Sequence, residues 1–148
     1  MKEVYKLSIT IFTDRISITT KTGLDIVNIT SRLTDSLKKS KIINGSLNAT
    51  VIGSTSSVTT IEFEPGVVND LKKAITRFAP QDIEYEHEKA WHDGNGHSHV
   101  QAALLGPSIV LPVRDGCLTL GTWQQAVIIN HDNRARERVV DITIIGTA

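Results

Sequence analysis

Short runs in which apolar and polar residues alternate, separated by turn residues about every ten positions, constrain this chain more than any other feature. Alternation at period two buries one face of an extended strand and wets the other, so each run predicts a half-buried β-strand. In the second half these are residues 97–104, 109–113, 117–120, 122–130 and 137–145. Leu105-Gly106-Pro107, Asp115-Gly116 and His131-Asp132-Asn133 punctuate them. The first half adds strands at 4–11 and 16–19 about an Asp14-Arg15 turn, then at 47–52 and 58–64.

Two segments carry helical spacing instead. Ile29, Leu33 and Leu37 recur every fourth residue, with Asn28 as cap and Asn44-Gly45 as stop. Pro65 opens a second helix whose apolar stripe is Val67, Val68, Leu71, Ile75 and Phe78, and Pro80 closes it. Residues 81–96 are polar, charged and histidine-bearing and read as a long loop. The predicted fold is α+β: an antiparallel β-sandwich, jelly-roll-like, with two helices contributed by the N-terminal half.

Length and charge bound the function. The 148 residues make one domain, 1–148, large enough for a core without disulfides. Sixteen basic residues balance sixteen acidic ones, which argues against nucleic acid or an anionic membrane surface as the partner. Cys117 is the one cysteine, so no disulfide or thiolate zinc cluster forms; it is expected to be buried in a strand. Met1 to Lys6 lack the apolar run of a signal peptide, and no stretch of about 18 apolar residues occurs. A soluble, cytoplasmic protein is expected, and the exposed edges of such a sheet predict a homo-oligomer.

Three of the five histidines and two glycines fall within Trp91-His92-Asp93-Gly94-Asn95-Gly96-His97-Ser98-His99. Imidazole is the commonest side-chain metal ligand at neutral pH, and glycine lets backbone approach an ion or phosphate closely. On a strand, His97 and His99 project from one face and can share a cation, with His92 folded back as a third ligand. Asp93, Glu86, Glu88 and His87 are rivals nearby, and Glu62 or Glu64 can arrive from another strand. Gly53-Ser54-Thr55-Ser56-Ser57 is a hydroxyl-rich turn suited to a phosphate, although such turns usually carry nothing. Arg134, Arg136 and Arg138 alternate and read as a solvated strand edge, while His131 sits in a turn that explains it without catalysis. Serine-hydrolase, P-loop and dinucleotide motifs are missing from the sequence.

The run from His92 through Ser108, followed by Leu111-Pro112-Val113 and Leu120-Gly121-Thr122-Trp123-Gln124 and a Val-rich closing strand, resembles the YjbQ-like family of secondary thiamine-phosphate synthases. The resemblance spans about Asp25 to Gly146. It implies a β-rich α+β fold, a homotrimer, a divalent metal, zinc or magnesium, near the paired histidines, and a small phosphorylated metabolite as partner. It also implies joining of a pyrimidine diphosphate to a thiazole phosphate with release of diphosphate. The corresponding site has His92, His97 and His99 on the metal, with His97, His99 and Glu64 as catalytic groups. Ser54, Thr55, Ser56, Gly94, Asn95 and Gly96 would hold phosphate. Many members carry a Pro-His-Thr-Thr segment where this chain has Gly53-Ser54-Thr55-Ser56, which makes His92, Glu62 or Glu64 the substitutes for that histidine. Paired imidazoles suit zinc better than the magnesium of diphosphate chemistry, so a zinc-dependent hydrolase and a noncatalytic binding protein are the alternatives.

Overall fold

The computed structural model describes residues 8–148. Residues 4–7, half of the expected strand 4–11, and the segment Met1 to Lys6 therefore lie outside the described residues. In chain order the elements are β1 (Thr10–Thr20), β2 (Asp25–Asn28), α1 (Thr30–Ser40), β3 (Asn44–Ile52), β4 (Ser56–Glu62) and α2 (Pro65–Phe78). They continue with α3 (Glu86–Trp91), α4 (Gly96–Leu105), β5 (Ser108–Arg114), β6 (Cys117–Leu118), β7 (Gln124–Asn130) and β8 (Arg136–Thr147). One antiparallel sheet runs β1-β8-β3-β5-β6 and a second runs β2-β7-β4. The mixed α+β class with antiparallel sheets is what the alternation predicted.

The layers follow from which faces are apolar. Leu47, Ala49, Leu111, Val140, Ile142 and Ile144 turn one face of the five-stranded sheet inward, against α1 (Leu33, Leu37) and against Val58, Ala126 and Ile128 of the second sheet. The other face of that second sheet, Ile26, Val127 and Ile129, packs on Ile75, Val68 and Leu71 of α2 and on Leu105 of α4. β7 is thus covered on both sides, which is why its sequence, Ala-Val-Ile-Ile, is continuously apolar rather than alternating. Each buried Val, Ile or Leu side chain among them contributes roughly 1.5–3 kcal/mol by leaving water.

Several expectations are corrected. β1 is a single strand through Asp14 and Arg15, with no turn there. Arg15 Nε meets Asp141 on β8 at 2.9 Å, while the Asp14 carboxylate accepts from Ser36 Oγ (2.8 Å) and Lys39 Nζ (3.1 Å) on α1. Cross-strand and helix partners absorb the pair that read as a turn. Asn28 acts one step before the helix cap, its Oδ1 accepting from Thr30 N–H at 2.9 Å. Phe78, expected in the core stripe, is exposed, and so is Cys117 on the two-residue edge strand β6.

Among the described residues the fold has four helices, not only two in the N-terminal half. The polar loop 81–96 contains α3, and the expected strand 97–104 is α4. In α4 the residues that turn inward are His97, Ser98, Gln101 and Ala102, with Leu105 half-buried behind them, a 3.6-residue period hidden within the apparent alternation. Gln, Ala and Leu favour helix, and Val100 is the helix's one β-branched residue. Among the described residues no helix is long and apolar enough to cross a membrane.

Truncating Ile128, fully buried between the two sheets, to Ala is expected to lower unfolding free energy by about 2–5 kcal/mol. Val110→Ala, on the exposed face of β5, should change it by no more than about 0.5 kcal/mol. Urea denaturation of both variants checks this, and equal losses would contradict the layering.

Candidate functional site

The glycine-histidine segment folds around its own side chains. Glu88 on α3 accepts the Gly94 N–H at 2.7 Å and the Gly96 N–H at 2.9 Å, which holds its carboxyl below the usual carboxylate range. A Cβ on Gly96 would meet Tyr85 Cβ at 2.5 Å, and Gly94 has φ +68, so both positions require glycine for packing and backbone conformation. Asn95 Oδ1 accepts from Asn133 N–H, and Asn133 Nδ2 donates to the Asp93 carbonyl, which ties the loop to the turn after β7. The Asn95 N–H donates to Asp93 Oδ1 at 3.1 Å, so the amides of Gly94, Asn95 and Gly96 are all spent inside the protein rather than presented to a phosphate.

His97, His99 and His92 do not converge. Two positions apart on a helix means about 200° of rotation, so His97 and His99 leave α4 in different directions. His97 is buried, its Nε2 3.2 Å from Ser98 Oγ, and burial pulls its pKa below the ordinary value against the opposing pull of Glu88 and Asp132. His92 ends α3 in a left-handed conformation and is exposed. Glu64 is elsewhere, capping α2 by accepting from Gly66 N–H and Val67 N–H.

His99 instead meets His87 of α3, their ring centroids 4.5 Å apart and tilted by 46°. His87 Nε2 lies 3.3 Å from Asp93 Oδ1 but makes no hydrogen bond, although the atom is shielded from solvent. His87, Glu88 and Asp93 offer ligand atoms within 4.8 Å of one another. His87 was visible in the sequence only as a neighbour of the loop; the meeting of α3 with α4 is what pairs it with His99.

On its other side His99 borders a cavity of about 240 Å³ between α4 and the β3–β4 turn, lined also by Gly53, Ser54, Ser56, Ala102 and Pro107. Ser54 and Ser56 thus stand beside His99, as Thr55 does not. Ser56 is 1% exposed and its Oγ has no hydrogen-bond partner. Gly53 has φ +143, and a Cβ there would lie 3.3 Å from Arg138 Nη1. A buried guanidinium therefore stands directly behind the Gly53 wall of the cavity.

Arg138 belongs to a buried polar hub. Its Nε donates to Asn130 Oδ1 (3.0 Å), and its Nη2 donates to Thr55 Oγ1 (2.8 Å) and the Thr55 carbonyl (3.1 Å). Among the described residues Nη1 has no partner. Thr55 Oγ1 donates to Asp132 Oδ2 at 2.9 Å, and Arg136 Nε reaches the same oxygen at 3.0 Å. Burial pushes the Asp132 carboxyl up, but hydrogen bonds from Thr55, Arg136 and Asn95 outweigh it and leave the pKa lowered. The arginine alternation that read as a solvated edge therefore ends in a buried residue.

His131, read as a surface turn residue, is buried in the same hub. Gln101 Oε1 can only accept, so His131 Nδ1 donates to it at 3.0 Å and Nε2 accepts from Ser57 Oγ at 2.8 Å. The geometry resembles an activated serine, yet Ser57 is fully buried and, unlike Ser56, does not border the His99 cavity, so its hydroxyl is not presented to a ligand there. Burial, then the nearby Arg138 charge, lowers the His131 pKa to about 4.

Residues 14–147 match the family model described as UPF0047 protein YjbQ-like. A UPF0047 protein of Methanothermobacter thermautotrophicus is 32% identical over 136 residues, covering 92% of this chain and 93% of that protein. The chain belongs to the UPF0047 (YjbQ-like) family. The UPF0047 protein YjbQ of Salmonella typhimurium is 32% identical over 120 residues, covering 80% of this chain and 86% of that one. The crystal structure of a YbjQ-like protein of unknown function from Sulfolobus solfataricus P2 superposes with TM-score 0.89 at 31% identity, over 94% of this chain and 99% of that one.

Family membership corrects the expected activity. These relatives are named only as UPF0047 proteins, and the Sulfolobus structure is described as having unknown function. Nothing in them supports thiamine-phosphate synthesis or metal-dependent catalysis, and the zinc-hydrolase alternative loses the three-histidine ion site on which it was built.

The His131 environment has a pH consequence. Its folded pKa of about 4 lies below the ordinary 6.5, so the unfolded chain takes up the proton first as pH falls. Its contribution is complete above pH 6.5 and is lost as pH drops toward 4, amounting to roughly 3 kcal/mol. Urea unfolding at pH 7 and pH 4.5 should show a shallower loss in His131→Gln than in the parent, and an unchanged loss would contradict the assignment.

Proposed function

We propose that this chain binds a small organic anion, bearing a phosphate or carboxylate group, in the cleft between the β3–β4 turn and α4. The observation that carries this reading is Ser56 Oγ, buried at the edge of the cavity with no partner. An unsatisfied buried hydroxyl costs about 1–3 kcal/mol, and a ligand oxygen accepting from it removes that cost. His99 and Ser54 supply further polar groups at the mouth, and the Arg138 guanidinium behind Gly53 gives the cleft a positive wall. Ala102, Ala103 and Pro107 form an apolar side that suits a short hydrocarbon portion. A volume of about 240 Å³ suits a metabolite smaller than a drug-sized ligand.

Titration with glycerol 3-phosphate and with succinate, followed by amide shifts in 15N-labelled protein, tests this. Saturable shifts confined to residues 53–56 and 99–103 are expected, with Ser56→Ala and His99→Ala each weakening binding by about tenfold. Absence of saturation with both anions, or unchanged affinity in both variants, contradicts the proposal.

A second reading has its own observation, the shielded and unbonded His87 Nε2 beside Asp93. We propose a divalent cation there, held by His87 and Asp93, with Glu88 retaining a lone pair beyond its two backbone bonds. The imidazole favours zinc over magnesium, and no catalytic step is attached to the ion. Elemental analysis after dialysis should find about one zinc per chain, lost in His87→Ala; equal content in the variant would contradict it.

A further inference from the structure

The Gly121-Thr122-Trp123-Gln124 motif takes no part in the cleft just described, and it borders a separate groove. Glu62, the last residue of β4, pairs with Gln124, and the same register continued by one step sets Phe63 opposite Trp123 just beyond the ladder. Both rings stay in solvent, Trp123 at 73% and Phe63 at 42% exposure. With Glu62, Glu64, Asn28 and Gln125 they line a cavity of about 410 Å³ that shares no residue with the His99 cleft.

The charges in this groove are all of one sign. Two carboxylates border it, and no Lys or Arg does among the described residues. Glu64 is occupied: its carboxylate accepts the Gly66 and Val67 amides and is held ionised by them. The Glu62 carboxylate has no hydrogen bond or ion pair among the described residues. A free carboxylate bordering the same groove as two exposed aromatic rings is the chemistry that recognises an organic cation, by charge and by ring quadrupole. Asn28 and Gln125 also border a neighbouring concavity lined by Thr30, Ser31 and Asp35, so a polar remainder of the ligand has room to extend over α1.

We propose that this groove binds an organic cation, an alkylated ammonium or a guanidinium group, with its charge against Glu62 and its apolar surface against Trp123 and Phe63. The neutral alternative, a sugar stacked on the same rings, would have no use for two uncompensated carboxylates. Binding here neither requires nor precludes the anion in the His99 cleft.

Tryptophan emission tests the proposal. The chain has two tryptophans, so a Trp91→Phe variant leaves Trp123 as the sole reporter. Choline and arginine methyl ester, titrated at constant ionic strength, should each produce a saturable change, and Glu62→Gln, which keeps the shape and removes the charge, should weaken it by about tenfold. Unfolding midpoints matching the Trp91→Phe parent confirm that the Glu62→Gln protein is folded. No saturation by roughly 100 mM of either cation overturns the proposal. So does equal affinity in Glu62→Gln, or saturation by glucose alone.

Discussion

The buried ion pair and hydrogen bonds around Asp132 organise everything near the candidate cleft. Asp132 lies two residues beyond the end of β7, and through Thr55 Oγ1 its carboxylate grips the β3–β4 turn, while Arg136 and Arg138 approach it from the start of β8. One residue earlier, His131 is bonded to Ser57 on β4 and to Gln101 on α4. The two walls of the cleft, turn and helix, are therefore both moored to the end of a single strand. Removing one member of such a set leaves an uncompensated buried charge, which costs several kcal/mol, so its geometry is strongly specified.

This mooring explains why the cleft has its particular polarity. Arg138 is desolvated by burial, which lowers its pKa, and the neighbouring Asp132 charge opposes that effect. Its Nε and Nη2 are spent on Asn130 and Thr55, so Nη1 is the edge of the guanidinium left toward Gly53. His131 and His97 are both pushed toward the neutral form, so they add hydrogen-bonding geometry rather than charge. The imidazole that faces the cavity is a different one, His99, and its partner is His87.

How much of this was legible depends on the sequence separation of the contacts. α2 was legible to the residue, because Pro65 at the first turn, an apolar stripe and Pro80 are all local signals. β7 and β8 were likewise visible, since their apolar residues are long and bounded by turns. α4 was not, because His97 and His99 at every second position read as one face of a strand, whereas the buried positions follow period 3.6. The hub was beyond reach: Thr55 and Arg138 are 83 positions apart and Ser57 and His131 are 74 apart. The glycines of the 92–96 loop gave a true signal of close approach, but what approaches is Tyr85 and Glu88, not a ligand. The hydroxyls of Ser54 and Ser56 were visible as a turn, but their sharing a cavity with His99 was not, because it depends on residues 96–105 being helical.

Membership of the UPF0047 family fixes the fold, and the site must be argued from the residues that line it. The most direct measurement of the central claim is native-state hydrogen exchange on Asp132→Asn. If Asp132 moors both walls, exchange should accelerate by at least about tenfold at Val58, Ser98 and His131, while the β1–β8 ladder keeps its protection. Unchanged protection at those amides, or the same acceleration across every strand, would contradict the account.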